Sequence, residues 1–248
     1  MRVLLLGGTT EASQMAALLA GAGIDAIYSY AGRTKAPVAQ PLPTRVGGFG
    51  GVVGLARYLS AAKITHVIDA THPFAAGMST NAFEVCRDAG IALIRLEREP
   101  WAAGPGDRWT LVPRIEDIPT ALPDTPARVF LAIGKQQIGL FATKPQHHYL
   151  LRLVDVPDAP LPLPDTTILL ARGPFTIQGD TGVMQKHAIT HVVAKNAGGT
   201  AARAKLDAAR ALGLPVIMTN RPSLPGDITA KDGDDVMAWL HHGADRGV

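Results

Sequence analysis

Several short stretches of the chain combine residue types and spacing that could do chemistry. Leu6-Gly7-Gly8-Thr9-Thr10-Glu11-Ala12 closes an apolar run and opens a helical pattern. In a dinucleotide-binding turn the first glycine permits the bend, the second admits the pyrophosphate, and the third position is Gly or Ala for close helix packing. Those places hold Gly7, Thr9 and Ala12 here. Gly7, Gly8, Thr9 and Thr10 are therefore a candidate phosphate turn, with threonine hydroxyls donating at a helix N-terminus. The same residues also suit a tight turn in which Thr caps the helix.

Further on, Ser29-Tyr30-Ala31-Gly32-Arg33-Thr34-Lys35 occupies the place where an NAD-preferring site carries a carboxylate for the ribose hydroxyls. This stretch has no carboxylate and offers Arg33, Lys35 and hydroxyls, which suit a ribose 2′-phosphate. NADP(H) is the cofactor this predicts, with Arg33 its main contact; ordinary loop charges are the alternative. Arg45-Val46-Gly47-Gly48-Phe49-Gly50-Gly51 then brings backbone close to a ligand at Gly48 and Gly50, and Phe49 could stack on a flat ring. Asp69-Ala70-Thr71-His72-Pro73-Phe74 ends another apolar run, with Thr71 and His72 directed at the ligand and Pro73 starting a helix. His72 titrates near neutrality and could donate a proton or orient a substrate.

In the second half, three strand ends each carry a cation: Arg172, Lys195 followed by Asn196, and Arg221. One such charge is usually a solvated surface group, but three at equivalent positions favour a mouth for an anionic ligand. His147-His148 and His241-His242 lack metal-ligand spacing, so no metal is expected. The lone Cys86 lies within a helical pattern and reads as a small core residue in a reducing cytosol. The absence of a Gly-x-Ser-x-Gly elbow makes nucleophilic catalysis a poor reading.

The elements that must position these loops alternate along the chain. Apolar runs at Val3 to Leu6, Asp25 to Tyr30, His66 to Asp69 and Ala92 to Leu96 predict strands. Helical spacing fills Glu11 to Leu19, Val52 to Ala62 and Phe74 to Asp88. Strands joined by helices require a parallel sheet. Prolines at 113, 119, 123 and 126 suggest a boundary near Thr125, dividing the chain into 1–124 and 125–248. The second half repeats the alternation, with strands at Val129 to Ile133, Tyr149 to Val154, Thr167 to Ala171, His191 to Ala194 and Val216 to Thr219. Its helices are expected at Gln136 to Phe141, Gly182 to Ala188, Thr200 to Leu212 and Asp234 to His241. The fold class is α/β, with two parallel-sheet halves and a cleft between them.

Composition agrees with that class. Of 248 residues, 47% are hydrophobic and 18% charged, which excludes a disordered, collagen-like or coiled-coil chain. Glycine (26) and proline (19) are abundant, implying many turns between short elements. Only 5% are aromatic, leaving Ala, Val, Leu and Ile to fill a sheet covered on both faces. The net charge of +3 is scattered, so a nucleic-acid stripe is not expected. The first apolar run is too short for a signal peptide or membrane span, and a cytoplasmic protein is expected. Oligomeric state has no signal in the sequence.

The motifs quoted above, together with Ala171-Arg172-Gly173-Pro174-Phe175, Lys195-Asn196-Ala197-Gly198-Gly199 and Lys205-Leu206-Asp207-Ala208-Ala209-Arg210, resemble the precorrin-6A reductase family from about Leu4 to Pro222. The resemblance implies an enzyme of cobalamin biosynthesis. It would reduce the C18–C19 double bond of the precorrin-6A macrocycle to give precorrin-6B, with NADPH as donor. Two Rossmann-like domains are implied, the first holding NADPH and the second the tetrapyrrole-derived substrate. Two positions depart from the family pattern: Ala197 stands where a serine is expected, and Asp180 where a glutamate is. Cations at the strand ends would clamp the ring's carboxylates, and His72 or water would protonate C18 after hydride reaches C19. Two other readings stay open: another NADP(H)-dependent reductase of an anionic small molecule, and a protein that senses NADP(H) without chemistry.

Overall fold

The computed structural model describes residues 1–32, 37–157, 159–200, 202–226 and 229–244. The chain forms two compact units, Met1–Glu99 with Ser223–Val248, and Pro100–Pro222. The boundary expected near Thr125 is therefore corrected. The first break falls before the proline-rich stretch, and the C-terminal segment belongs to unit 1.

Unit 1 begins with β1 (Val3–Leu6), α1 (Thr10–Gly21), β2 (Ala26–Tyr30), β3 (Thr44–Val46), α2 (Gly51–Ala61), β4 (His66–Asp69), α3 (Ala76–Ala89) and β5 (Ala92–Leu96). Unit 2 contains β6 (Trp109–Val112), α4 (Ile118–Ala121), β7 (Arg128–Ala132), β8 (His148–Leu153), β9 (Thr166–Leu170), α5 (Ile177–Lys186), β10 (His191–Lys195), α6 (Ala204–Ala211) and β11 (Val216–Thr219). The chain then returns to unit 1 for β12 (Thr229–Ala230) and α7 (Gly233–Ala244). The segment Lys135–Thr143, expected as a short helix, is a 3-10 helix.

Among the described residues every strand pairing is parallel, in two six-stranded sheets ordered β12-β5-β4-β1-β2-β3 and β6-β11-β10-β7-β8-β9. The sheets correspond strand for strand. In each, the sixth place is taken by a strand whose predecessor in the chain lies in the other unit: β6 follows β5 directly yet pairs with β11, while β12 follows β11 and pairs with β5. The order reverses between β1 and β4 in unit 1 and between β7 and β10 in unit 2. In open parallel sheets ligands bind beyond the strand ends at such switch points.

Burial explains why the strands read as unbroken apolar runs. Alternate β1 residues face opposite sides of the sheet. Val3 and Leu5 pack with Met15, Leu19, Val236 and Leu240, whereas Leu4 and Leu6 pack with Leu55, Leu59, Val67 and Val85. In unit 2, Val129 and Leu131 join Phe141 and Tyr149 on one face. Phe130 and Leu150 join Met184 and Leu206 on the other. Cys86 lies in the unit 1 core, where burial pushes its thiol up to about 12. Among the described residues no helix is long and apolar enough to cross a membrane.

Candidate functional site

At the end of β1 the Gly7 N–H donates to the Ser29 carbonyl (3.0 Å), which ties the turn to β2. A side chain at Gly7 would place its Cβ 2.2 Å from the Tyr28 ring. Gly8 has φ +118°, a conformation that favours glycine, and its N–H donates to the Tyr28 hydroxyl at 2.9 Å. Tyr28 is buried, which pushes its pKa up to about 12 and keeps the hydroxyl neutral. Thr9 stands where a second glycine was expected. Its φ of −117° is ordinary extended backbone, so no glycine is required there.

The Thr9 hydroxyl accepts from the Ala12 N–H (3.1 Å) and donates to the Ala70 carbonyl (2.8 Å). Its proton is therefore committed to the protein. The expectation that this hydroxyl donates to a phosphate is replaced by a bracing role, leaving the turn's backbone and the exposed Thr10 to meet a ligand. Glu11, in the first turn of α1, is paired with Arg98, so its negative charge is balanced beside this turn.

Arg33 lies outside the described residues. At the adjoining strand ends the prominent cation is Arg45, which in the sequence stands only as the lead-in to a glycine loop. Its Nη1 donates to the Ser29 hydroxyl (2.7 Å) and its Nη2 to the Gly48 carbonyl (3.3 Å). The guanidinium carbon sits 3.9 Å from the Phe49 ring centroid and 5.1 Å from that of Tyr58. One Phe49 face is thus covered by Arg45, and Tyr58 meets the ring edge-on at 5.1 Å. Phe49 supports Arg45 on that face. Gly50, with φ +83°, caps α2 without a side-chain hydrogen bond, and both it and Gly48 are exposed.

After β4, Asp69 is 2% exposed and accepts from both the Thr71 N–H (3.1 Å) and its hydroxyl (2.7 Å). The Arg95 guanidinium approaches the other Asp69 oxygen at 3.8 Å. The Thr71 hydroxyl accordingly faces the protein, correcting its expected direction toward the ligand. His72 is exposed, and its Nδ1 accepts from the Phe74 N–H at 3.2 Å. That bond matches the neutral tautomer with Nδ1 as acceptor. Pro73 does not start the helix: Ala75 N–H bonds the His72 carbonyl (2.7 Å) in a turn, and α3 starts at Ala76.

In unit 2 the Lys195 ammonium, at the end of β10, donates to Gln137 Oε1 at 3.0 Å, and burial lowers its pKa. Asn196 is 6% exposed and its amide is occupied by one backbone residue, accepting from Trp101 N–H (2.8 Å) and donating to Trp101 C=O (3.0 Å). Arg221 donates to the carbonyls of Asn196 and Ala197, both at 3.0 Å. Asn196 and Arg221, expected as substrate contacts, thus hold the shape of the loop that carries Lys195. Arg172 is exposed in the loop after β9.

A buried ion pair lies beneath that loop. Arg152 on β8 meets Asp180 on α5 at 2.8 Å, their side chains 8% and 4% exposed. Its guanidinium stacks on Phe175 at 3.9 Å. Arg152 interrupts the apolar run Tyr149-Leu150-Leu151-Arg152-Leu153, the one sequence signal that could have marked it.

Residues 2–241 match the family model described as Precorrin-6x reductase CbiJ/CobK. A protein named precorrin-6A reductase from Rhodobacter capsulatus is 61% identical over 249 residues, covering 100% of this chain and 99% of its own length. The chain belongs to the precorrin-6x reductase family. A solved structure titled CobK precorrin-6A reductase, 60% identical, superposes with a TM-score of 0.95 over 100% of both chains. A cobalt-precorrin-6A reductase from Priestia megaterium is 27% identical over 238 residues, 90% of this chain and 91% of its own.

Membership bears out the resemblance drawn from the sequence, and the paired Rossmann-like sheets agree with it. In this reductase the predicted residues fall into two sets. Gly7, Gly8, Thr9, Thr10, Gly48, Phe49, Gly50, Thr71 and His72 all stand at or just beyond strand ends of one sheet. Arg172, Lys195, Asn196 and Arg221 stand at or just beyond strand ends of the other.

Proposed function

We propose that this chain reduces the C18–C19 double bond of metal-free precorrin-6A to give precorrin-6B, with NADPH as the donor. The observation that carries the reading is identity of 61% to a precorrin-6A reductase over the full length. The much lower identity to the cobalt-precorrin enzyme, 27%, supports a metal-free macrocycle.

The residues of unit 1 fit a dinucleotide. Gly8 offers open space where a Cβ would stand, Gly7 packs against the Tyr28 ring where no side chain would fit, and Thr10 is exposed beside them. The stretch after β2 lacks a carboxylate and carries Arg33, which suits a 2′-phosphate. When bound, NADPH supplies the hydride that C19 receives. Asp69 fixes the Thr71 backbone beside His72, and His72 in its imidazolium form donates the proton that C18 receives, returning to the neutral ring. In unit 2, Lys195 and Arg172 pair with the ring's carboxylates, while Asn196 and Arg221 keep the Lys195 loop in place.

The test is incubation of the protein with NADPH and precorrin-6A, following the near-ultraviolet absorbance of reduced nicotinamide, in parallel with the cobalt-containing macrocycle. Oxidation with the metal-free ring is expected; binding without oxidation would support a sensor instead. His72→Ala should lower turnover about 10²-fold. Wild-type turnover by that variant across neutral pH would assign the proton to water.

A further inference from the structure

We propose that Arg45 discriminates a 2′-phosphorylated dinucleotide from an unphosphorylated one, held ready for that role by Ser29, Phe49 and Tyr58. The proposal rests on the NADPH reading above and names a residue for it.

Position comes first. Arg45 pairs in register with Ser29 on β2, and the Ser29 carbonyl receives the Gly7 N–H. The candidate phosphate turn, the end of β2 and the Arg45 guanidinium are therefore consecutive neighbours across the sheet. An adenosine ribose lies over the end of the second strand when its pyrophosphate occupies such a turn. The two following loops also meet there. Gly32, whose φ of +74° favours glycine, lies within ordinary contact of the Gly47 backbone, a Cβ there standing 3.4 Å from it.

Charge comes second. Among the described residues, Arg2, Arg95 and Arg98 of unit 1 each face a carboxylate within 4 Å, at Asp25, Asp69 and Glu11. Arg45 is half-buried, and among the described residues its guanidinium hydrogen-bonds a hydroxyl and a carbonyl. A guanidinium has five N–H donors, so those two bonds leave donors for an anion. Burial already lowers the Arg45 pKa. A phosphate would supply the countercharge that the protein does not.

Preorganisation comes third. The Phe49 face and the Tyr58 ring hold the guanidinium plane, and Ser29 and Gly48 fix its rotation. A fork already in place loses less entropy on meeting a phosphate than a free side chain does.

The experiment is titration of the full chain with NADPH and with NADH. Wild type should bind NADPH more tightly. Arg45→Gln should weaken NADPH about 10- to 100-fold while moving NADH less than about 3-fold. Arg45→Lys, which keeps the charge without the fork, should fall between. Phe49→Leu should shift the ratio in the same direction by less. Equal losses for both cofactors would make Arg45 a purely structural strand bridge and overturn the proposal. So would an unchanged preference in Arg45→Gln, including the case where Arg33→Gln abolishes it. Wild-type indifference to the phosphate would overturn the NADPH reading itself, a distinct result.

Discussion

The strand-end loops of the two units share a sheet order and differ in what holds them. Among the described residues, unit 1 buries Ser29, Asp69 and Ser79 as polar groups, and its phosphate-turn loop is shaped by glycines, Tyr28 and one threonine hydroxyl. Unit 2 buries His147, Asp180, Asn196, Lys205 and Thr219, and its loops are braced by side chains that bond their backbone. The difference fits the proposed ligands. A dinucleotide phosphate is met by backbone N–H groups, which need space and freedom. A macrocycle edged with carboxylates is met by long cationic side chains, which gain from a rigid base. A cation at a strand end is consequently not enough to identify a ligand contact: Arg221 binds carbonyls of its own protein.

The largest test of that contrast is Arg152→Ala. It leaves Asp180 buried without its partner and should destabilise the protein by about 3 to 5 kcal/mol in denaturant unfolding. The double change Arg152→Met with Asp180→Leu should recover most of the loss, because apolar groups of similar volume need no countercharge. Retention of wild-type stability by Arg152→Ala would show that the pair does not brace unit 2.

A smaller pair of changes compares one brace from each unit. Asn196→Ala strands both the N–H and the carbonyl of Trp101 and should cost about 2 to 4 kcal/mol. Thr9→Val removes the α1 cap and the bond to Ala70 and should cost about 1 to 2 kcal/mol. Both are read from unfolding midpoints at equal denaturant dependence. A reversed order would mean that unit 1 relies on side-chain braces as heavily as unit 2.

How far the sequence carried this picture follows from the same physics. The doubly covered strands were legible because burial on both faces leaves continuous apolar runs, as in Val3 to Leu6, 0 to 2% exposed. The strands that were missed are β3, β6 and β12. Thr44, Arg45 and Val46 are exposed or half-buried at a sheet edge, and β12 has two residues, so neither leaves a pattern. Missing β6 and β12 also misplaced the boundary, since each joins a sheet other than that of the strand before it in the chain. Glycine clusters marked loops that follow strand ends, yet residue type could not say which atoms were already engaged. Thr9, Thr71 and Asn196 turn inward because neighbours from distant elements, Ala70, Asp69 and Trp101, were not visible as neighbours in the chain.

The smallest effect concerns a third polar group buried by unit 2. His147 is fully buried, and its Nδ1 accepts from the Ala127 N–H at 3.1 Å. Burial, with Lys144 nearby, pushes its pKa below the ordinary value, so the folded ring stays neutral where an unfolded one protonates. As pH falls below about 6.5, the unfolded chain takes up a proton that the folded chain refuses, and stability declines until the folded pKa is reached. The loss at pH 6 is at most about 1 kcal/mol, the free energy of keeping one such ring neutral. His147→Asn keeps an acceptor near the Nδ1 position and removes the titration. Unfolding measured between pH 8 and pH 5 should therefore fall less steeply for the variant, whatever its absolute stability. Parallel slopes would place the acid sensitivity elsewhere, at His66 in unit 1 or His191 in unit 2, whose pKa values burial also lowers. His66→Asn would then decide between the units, because flattening by that change alone would place the acid-sensitive ring in unit 1.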